Sequence, residues 1–391
     1  MKNKNACLIS KFIFENDTRL QQQVAFLEDN NFNISVICYL ENEKKTIIRN
    51  NTTVYGVSRL GDKDTLLKYI WNTLKFIIPT FIKLQKLSFQ NKLDIIIIHT
   101  LPELMIFIAF FQKFFGTKLI LDVRDTSVEL FETKWSDGKW KFLHRLVVFF
   151  ANISCHFADK IIVASPGFKD KLLERKIPEE KITIIFNSAD NAIFHFDKER
   201  KFEKISSGLK IIYHGSIADR FGIDIAIDAF KNIIQKIPNS TLNIYGFYDD
   251  GYKNLLKEKI TKYNLEDSIF LNSRESLDNI YKLIKNSDLG IVPYKADFFM
   301  QLAFSTKLFE YVLSGIPVVT SRLKPAQFIF PEESIFFVNP NDPDDLTEKI
   351  IYLCENPNER KIRVSKAYES YSKISSDVMK EQYFKIIEQL L

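Results

Sequence analysis

Four consecutive isoleucines, Ile95 to Ile98, constrain this chain's fold more than any other feature. A strand that is apolar at every position offers no face to water, so it fits a parallel sheet covered by helices on both sides. The surrounding sequence repeats that logic. Apolar runs at 6–9 and 34–39 flank a helical pattern over 17–29 through Leu20, Val24, Phe26 and Leu27, a strand-helix-strand opening. A helix is expected over 104–115 and a basic, aromatic one over 139–157, with strands at 118–121, 160–164 and 180–185. The second half starts again, with strands at 210–213, 240–245, 269–271 and 289–293 and a helix over 223–235. Between the halves the chain turns polar, from Asp197 to Lys204 and then Ser206, Ser207 and Gly208, as a linker does. At 391 residues the chain exceeds one ordinary core. The expectation is an α/β protein of two domains, 1–196 and 208–375, with a helical tail over 376–391.

The balance of 54 basic against 49 acidic groups leaves a net charge of only +5, so basic character is local and a dedicated nucleic-acid binder is disfavoured. Hydrophobic residues at 46% and charged residues at 26% describe a globular chain. Cys7, Cys38, Cys155 and Cys354 are far apart in apolar surroundings, which reads as buried thiols in a reducing compartment. The start carries too short an apolar run for a signal peptide, and the apolar run from Leu104 stops at Gln112 and Lys113, short of the ~20 residues of a membrane span. A cytoplasmic location is therefore expected. One stretch stands out: 65–92 holds Lys68, Lys75, Lys83, Lys86 and Lys92 with no acidic residue, interleaved with Trp71, Phe76, Phe81 and many aliphatics. It reads either as peripheral contact with an anionic membrane at its inner face, or as a core helix pair broken at Pro79 with a solvated basic face. The 139–149 stretch has similar character.

Polar groups at the carboxyl ends of apolar strands mark where ligands bind in open α/β sheets. In the first half these are His99, Asp122, Arg124 and Asp125, although Arg124 pairing locally with Asp122 or Glu129 accounts for them equally well. No G-x-G-x-x-G follows the first strand, which disfavours a dinucleotide there. In the second half the strand at 210–213 opens into His214, Gly215 and Ser216, then Arg220 and Gly222, before a helix. That arrangement presents backbone N–H groups to a phosphate, and Arg220 would add a charge-assisted contact. The stretch 304–319 predicts a helix over 306–313, entered through Ser305 or Thr306 and stopped by Ser314 and Gly315, with Pro317 leading into a strand. Lys307 sits in its first turn, unfavourable by about 0.3–1 kcal/mol against the helix dipole unless an anion binds there. Glu310 shares its face, so the pair reads as a plain ion pair or as a ligand site. Asp342 to Asp345 reads as a turn and N-cap rather than a metal cluster.

In order and spacing these segments resemble the retaining glycosyltransferases of the GT-B type, in family four. Asp17 and Arg19 look like the family's early D-x-R, and Asp122 to Asp125 like its D-x-x-D strand end. Asn187 to Asp190 with Phe194 is similar to its closing turn, and Tyr213 to Gly222 to its phosphate loop. Lys307, Glu310 and Tyr311 followed by Gly315, Pro317, Val318 and Val319 are similar to its nucleotide core. The resemblance implies two Rossmann-like domains facing across a cleft, the first binding acceptor and the second donor, with the C-terminal helix crossing back. It implies transfer of a hexosyl group from a nucleoside-diphosphate sugar, a UDP-sugar in preference to a GDP-sugar, to a glycan or lipid-linked acceptor. Anomeric configuration would be retained, without metal or cofactor, in surface polysaccharide or glycoconjugate synthesis. Arg220 and Lys307 would hold the pyrophosphate, with Gly215, Ser216, Ser305 and Thr306 around it, Glu310 on the ribose hydroxyls and Asn272 near the base. Two positions depart from the pattern. Leu302 stands where a first glutamate is usual, and Asp125 where a histidine is frequent, leaving Asp125 to contact the sugar or to act on the acceptor. A nucleotide-sugar epimerase using His99, Asp125 and His214, and a non-catalytic nucleotide-sugar-binding subunit, are the alternative expectations.

Overall fold

The computed structural model describes residues 4–40, 46–57, 66–100, 102–134 and 141–391. It forms two compact units, Met1–Phe186 with Lys380–Leu391, and Asn187–Met379.

The first unit carries β1 (Asn5–Ile13), β2 (Asn33–Tyr39), β3 (Thr46–Arg49), β4 (Thr52–Gly56), β5 (Ile95–His99), β6 (Lys118–Val123), β7 (Lys160–Val163) and β8 (Ile182–Ile184). They form one sheet in the order β3-β4-β2-β1-β5-β6-β7-β8, parallel except for the antiparallel edge strand β3. All four isoleucines of β5 are fully buried, as an apolar strand between two helix layers requires. The chain reverses its direction of travel across the sheet between β1 and β5, which pair from Ala6 with Ile95 to Ile9 with Ile98. In such sheets ligands bind beyond the strand ends at this switch point.

The second unit repeats the design with β9 (Lys210–Ile217), β10 (Thr241–Tyr248), β11 (Ile269–Asn272), β12 (Leu289–Val292), β13 (Val318–Ser321) and β14 (Phe336–Val338). The order is β11-β10-β9-β12-β13-β14, all parallel, with the switch point between β9 and β12. The helix Ile223–Lys236 buries Ile223, Ala226, Ile227, Ala229, Phe230 and Ile233.

Several elements differ from the sequence reading. Pro79 does not break its segment, because one helix runs Leu66–Gln90 with the proline inside. Phe76 on one side of it and Leu84 and Leu87 on the other bury the same face. That burial outweighs the roughly 3 kcal/mol that an interior proline costs. The apolar 104–115 stretch is a 3-10 helix, Glu103–Ala109, and then a short α-helix, Phe110–Phe114. The 180–185 stretch is a 3-10 turn before the short β8. The charged stretch after Asp197 is tied down within the second unit: Asp197 pairs with Lys285 at 2.6 Å, and Arg200 donates to the carbonyls of Lys285 and Ser287. The last residues group with the first unit, where Tyr383 and Phe384 each meet the ring of Phe26 edge-on at 5.8 Å. Trp140 and Lys139 lie outside the described residues; their helix is described over Lys141–Phe157. All four cysteines are free and buried, and burial pushes each thiol up to about 12.

Candidate functional site

In the second unit the switch point is built around Lys307. Its helix, Lys307–Leu313, is held to the sheet by Tyr311, whose buried hydroxyl donates to the carbonyl of Ile212 at 3.3 Å. Thr306 is the N-cap without a side-chain capping bond, and Ser305 bonds the hydroxyl of Tyr294 at 3.0 Å. The Lys307 ammonium donates to that same Tyr294 hydroxyl at 2.8 Å. Three rings surround it, with centroids 5.3 Å (Tyr213), 5.5 Å (Phe221) and 5.4 Å (Tyr294) from Nζ. Such contacts attract a cation without neutralising it. Among the described residues Lys307 has no carboxylate partner, so the plain ion pair with Glu310 is not what forms.

Two glycines create the space. At Gly215, φ is +115°, and a Cβ there would lie 2.3 Å from Lys307 Cε and 2.7 Å from its Nζ. The lysine therefore packs against bare backbone at the carboxyl end of β9. At Gly222, φ is +65°, and a Cβ would lie 1.8 Å from the carbonyl oxygen of Pro293. This close approach brings the 219–221 turn against the end of β12 and sets Phe221 beside Tyr294, with ring centroids 5.2 Å apart. Ser216 is exposed, and its carbonyl accepts from the Tyr213 hydroxyl at 2.7 Å.

Arg220 leaves the same turn, but unlike Lys307 it is partly matched. Its Nε lies 3.6 Å from Asp297 Oδ2 and its guanidinium covers the Phe299 ring at 5.4 Å. Glu310, one helical turn along from Lys307, turns to His214, with Oε2 3.0 Å from Nε2. Both side chains are almost fully buried, yet neither of those atoms makes an aligned hydrogen bond with a described residue. Buried polar atoms left in this state are expected to meet a ligand or water. Asn272 ends the edge strand β11, beside Tyr245 of β10, and its amide donates to the carbonyl of Phe270 at 3.2 Å. None of its contacts reaches Lys307, Arg220 or Glu310. Leu302 is buried, a packing position. Asp342 accepts from the amides of Asp344 and Asp345 at 3.1 and 3.0 Å, an N-cap.

In the first unit the strand-end residues form a cross-paired network rather than the local pairs the sequence allowed. Arg19 reaches Asp122 with two hydrogen bonds, of 3.0 and 2.7 Å, and the carbonyl of Ile185 with a third at 3.2 Å. Gln23 adds a bond to Asp122 at 2.7 Å. Arg124 pairs with Asp17 at 2.7 Å, not with Asp122, and Glu129 takes Arg175 instead. Arg124 also directs Nε and Nη2 at His99 Nδ1, at 3.1 and 2.8 Å. A guanidinium only donates, so Nδ1 is the acceptor and His99 is the neutral tautomer with its proton on Nε2. Burial, reinforced by Arg124, lowers its pKa to about 3. Burial would raise Asp122, but Arg19, with His99 and Arg124, outweighs it and holds the carboxyl at about 2. Asp125 is partly buried, and burial raises its pKa against the pull of Arg124. Its carbonyl accepts from Thr100 at 2.9 Å.

Sequence reasoning named Lys307, Gly215, Arg220 and Glu310, which the fold gathers, but missed the aromatic cage and the pairing of His214 with Glu310. The cage had a faint signal, since Tyr213 and Tyr294 each end or follow an apolar strand.

Known proteins match both halves. Residues 20–192 fit the family model Glycosyltransferase Family 4, and residues 195–370 fit Glycosyl transferases group 1. In fold and in family models, this chain is of the GT-B glycosyltransferase type. Among solved structures it resembles the sucrose-phosphate synthase of Thermosynechococcus elongatus, at 14% identity and TM-score 0.77, covering 99% of both chains. It also resembles Anabaena Alr3699/HepE, solved in complex with UDP, at 17% identity and TM-score 0.73, covering 99% of this chain and 100% of that one. The uncharacterized glycosyltransferase MJ1069 of Methanocaldococcus jannaschii is 23% identical over 240 residues, 60% of this chain and 59% of that protein. The match thus spans about three fifths of that relative's length.

Proposed function

We propose that the chain is a glycosyltransferase that takes a hexosyl group from a nucleoside-diphosphate sugar and transfers it, with retention, to a glycan or lipid-linked acceptor. The observation that carries this reading is the Lys307 ammonium, held by the Tyr294 hydroxyl and three rings against the bare backbone of Gly215 and matched by no carboxylate among the described residues. A diphosphate supplies the missing negative charge, and this reading adds Arg220, from the 219–221 turn whose Phe221 lines the lysine, as a second cation. Glu310, which faces His214, is the residue this reading assigns to accept hydrogen bonds from the ribose hydroxyls. The Anabaena relative solved with UDP supports a UDP-sugar over a GDP-sugar.

As the bond from the anomeric carbon to the β-phosphate oxygen breaks, negative charge grows on that phosphate. Lys307 and Arg220, fixed before the reaction, stabilise it more in the transition state than in the ground state. The acceptor oxygen forms the new bond, and its proton passes to the leaving phosphate, so no side-chain base is needed. Asp125 is assigned to the sugar or acceptor rather than to the diphosphate.

The test is a thermal-shift screen over UDP, GDP and their sugars, followed by product analysis. Ligand at 100 times its dissociation constant stabilises by about 2.7 kcal/mol. The reading predicts a shift with UDP-sugars that Lys307→Ala abolishes, and a product whose anomeric proton keeps the donor's configuration by NMR. An altered sugar still attached to nucleotide would instead establish an epimerase, and binding without turnover of any donor a non-catalytic subunit.

A further inference from the structure

The helix Leu66–Gln90 is apolar on two opposite faces. Phe76, Leu84 and Leu87 enter the core, while Trp71, Leu74, Ile78, Ile82 and Phe89 form a second stripe at helical spacing that is exposed, Phe89 to 90%. At 100° per residue that stripe lies on the side away from the core, and Lys68, Lys75 and Lys86 fall in a row along one of its flanks.

The stripe continues past the helix's other flank. Gln85 and Ser88 accept from Gln112 at 3.0 and 3.1 Å, and Phe81 meets Phe111 at 6.2 Å, fixing the 103–114 segment alongside. That segment ends in Phe114 and Phe115, adjacent rings exposed to 82% and 75%. Phe110 in turn stacks on Phe157 of the helix Lys141–Phe157, and Phe149, Phe150 and Ile153, also exposed, precede Phe157 by one or two turns. Three elements thus bring their exposed aromatics to one side of the first unit.

Charge identifies the occupant. Across 66–93, 104–121 and 141–158 there is not one acidic residue, in a chain that holds 49. Lys113 is paired with Asp159, and Lys75, Lys86 and Arg145 are exposed. A face on which basic side chains so outnumber acidic ones is a poor complement to a second copy of itself, since two such faces repel. Its length also suits an extended partner, because the stripe from Trp71 to Phe89 runs about 27 Å along one helix. We infer that this face docks the first unit onto an anionic lipid surface, with the aromatic and aliphatic side chains entering the headgroup boundary and the lysine row meeting lipid phosphates. The inference stands apart from the donor site, so either can fail alone.

The experiment is flotation of the full chain with phosphatidylcholine vesicles containing 30% phosphatidylglycerol, roughly the anionic regime in which polybasic surfaces bind. Binding is expected to be strong in low salt, weakened several-fold in high salt, and absent on pure phosphatidylcholine. Phe114→Ser with Phe115→Ser should lower partitioning by at least about tenfold, and Lys75→Glu with Lys86→Glu by a similar factor. Lys366→Glu, exposed in the second unit, should leave it unchanged. Unchanged melting temperatures would show that the variants fold. No binding of the wild-type chain to anionic vesicles, or binding indifferent to both double variants, overturns the inference. So does a lipid-free dimer that the phenylalanine variant converts to monomer without any vesicle binding.

Discussion

Both units place a cluster of charged side chains beyond the carboxyl ends of parallel strands, and the clusters differ in one respect. In the first unit the innermost charges have protein counterparts: Arg19 meets Asp122, Arg124 meets Asp17, and His99 is kept neutral between them. In the second, Lys307 is cradled by rings and a hydroxyl but left electrically unmatched among the described residues, where Glu310 also faces His214 without an aligned bond. Matched buried charges fix where strands and helices meet, while an unmatched one reserves room for a ligand of opposite sign. On the proposed function, the same position in two similar sheets serves mainly architecture in one and donor binding in the other.

Substitutions can break this contrast, beginning with the matched cluster. Arg19→Met leaves the buried Asp122 with Gln23 but without its counter-charge, and should cost about 3–5 kcal/mol of stability in urea or guanidinium denaturation of the first unit. Lys307→Ala should leave stability nearly untouched but cut donor turnover by about 10²–10³, the loss seen when one preorganised charge-stabilising donor is removed. If Arg19→Met proved silent and Lys307→Ala unfolded the chain, the assignment of the two clusters would be reversed. Gly215→Ala sits between these cases. Its Cβ would collide with Lys307 at 2.3 Å, so donor binding should fall by at least about tenfold, with about 1–3 kcal/mol of backbone strain added.

The matched cluster should also respond to pH. His99 has its pKa lowered from 6.5 to about 3, so protonation favours the unfolded chain. Stability is therefore complete above about 6.5 and is lost progressively as pH falls toward 3. Asp122, depressed from 3.8 to about 2, adds a second loss as pH falls through that interval. Denaturation midpoints followed from pH 7 to 4 should decline in wild type, and His99→Gln should flatten that decline. The smallest effect is expected at Arg220→Ala, roughly tenfold in turnover, because Asp297 and solvent already moderate its charge.

Fold class was legible because the isoleucine run of β5 and the apolar runs around it admit few arrangements. The candidate site was legible where backbone constraint leaves a mark in the sequence, as at Gly215, or where a charge sits in an unusual place, as at Lys307. The cage was not, because Tyr213, Phe221 and Tyr294 come from three separate segments and meet only when Gly222 lets the turn press on Pro293. The cross-pairing of Arg19 with Asp122 was hidden for the same reason, the partners being 103 residues apart. Local spacing favoured nearer partners. Pro79 misled in the opposite direction, since a residue-level rule about helix breaking gives way when both sides of the proline bury the same face.

The four buried thiols give the chain a set of internal clocks. A thiol held at about 12 inside a packed unit cannot react with an alkylating or disulfide reagent until the surrounding structure opens. Cys7, Cys38 and Cys155 belong to the first unit and Cys354 to the second, so the order in which they are labelled ranks the opening rates of the two halves without any engineered probe.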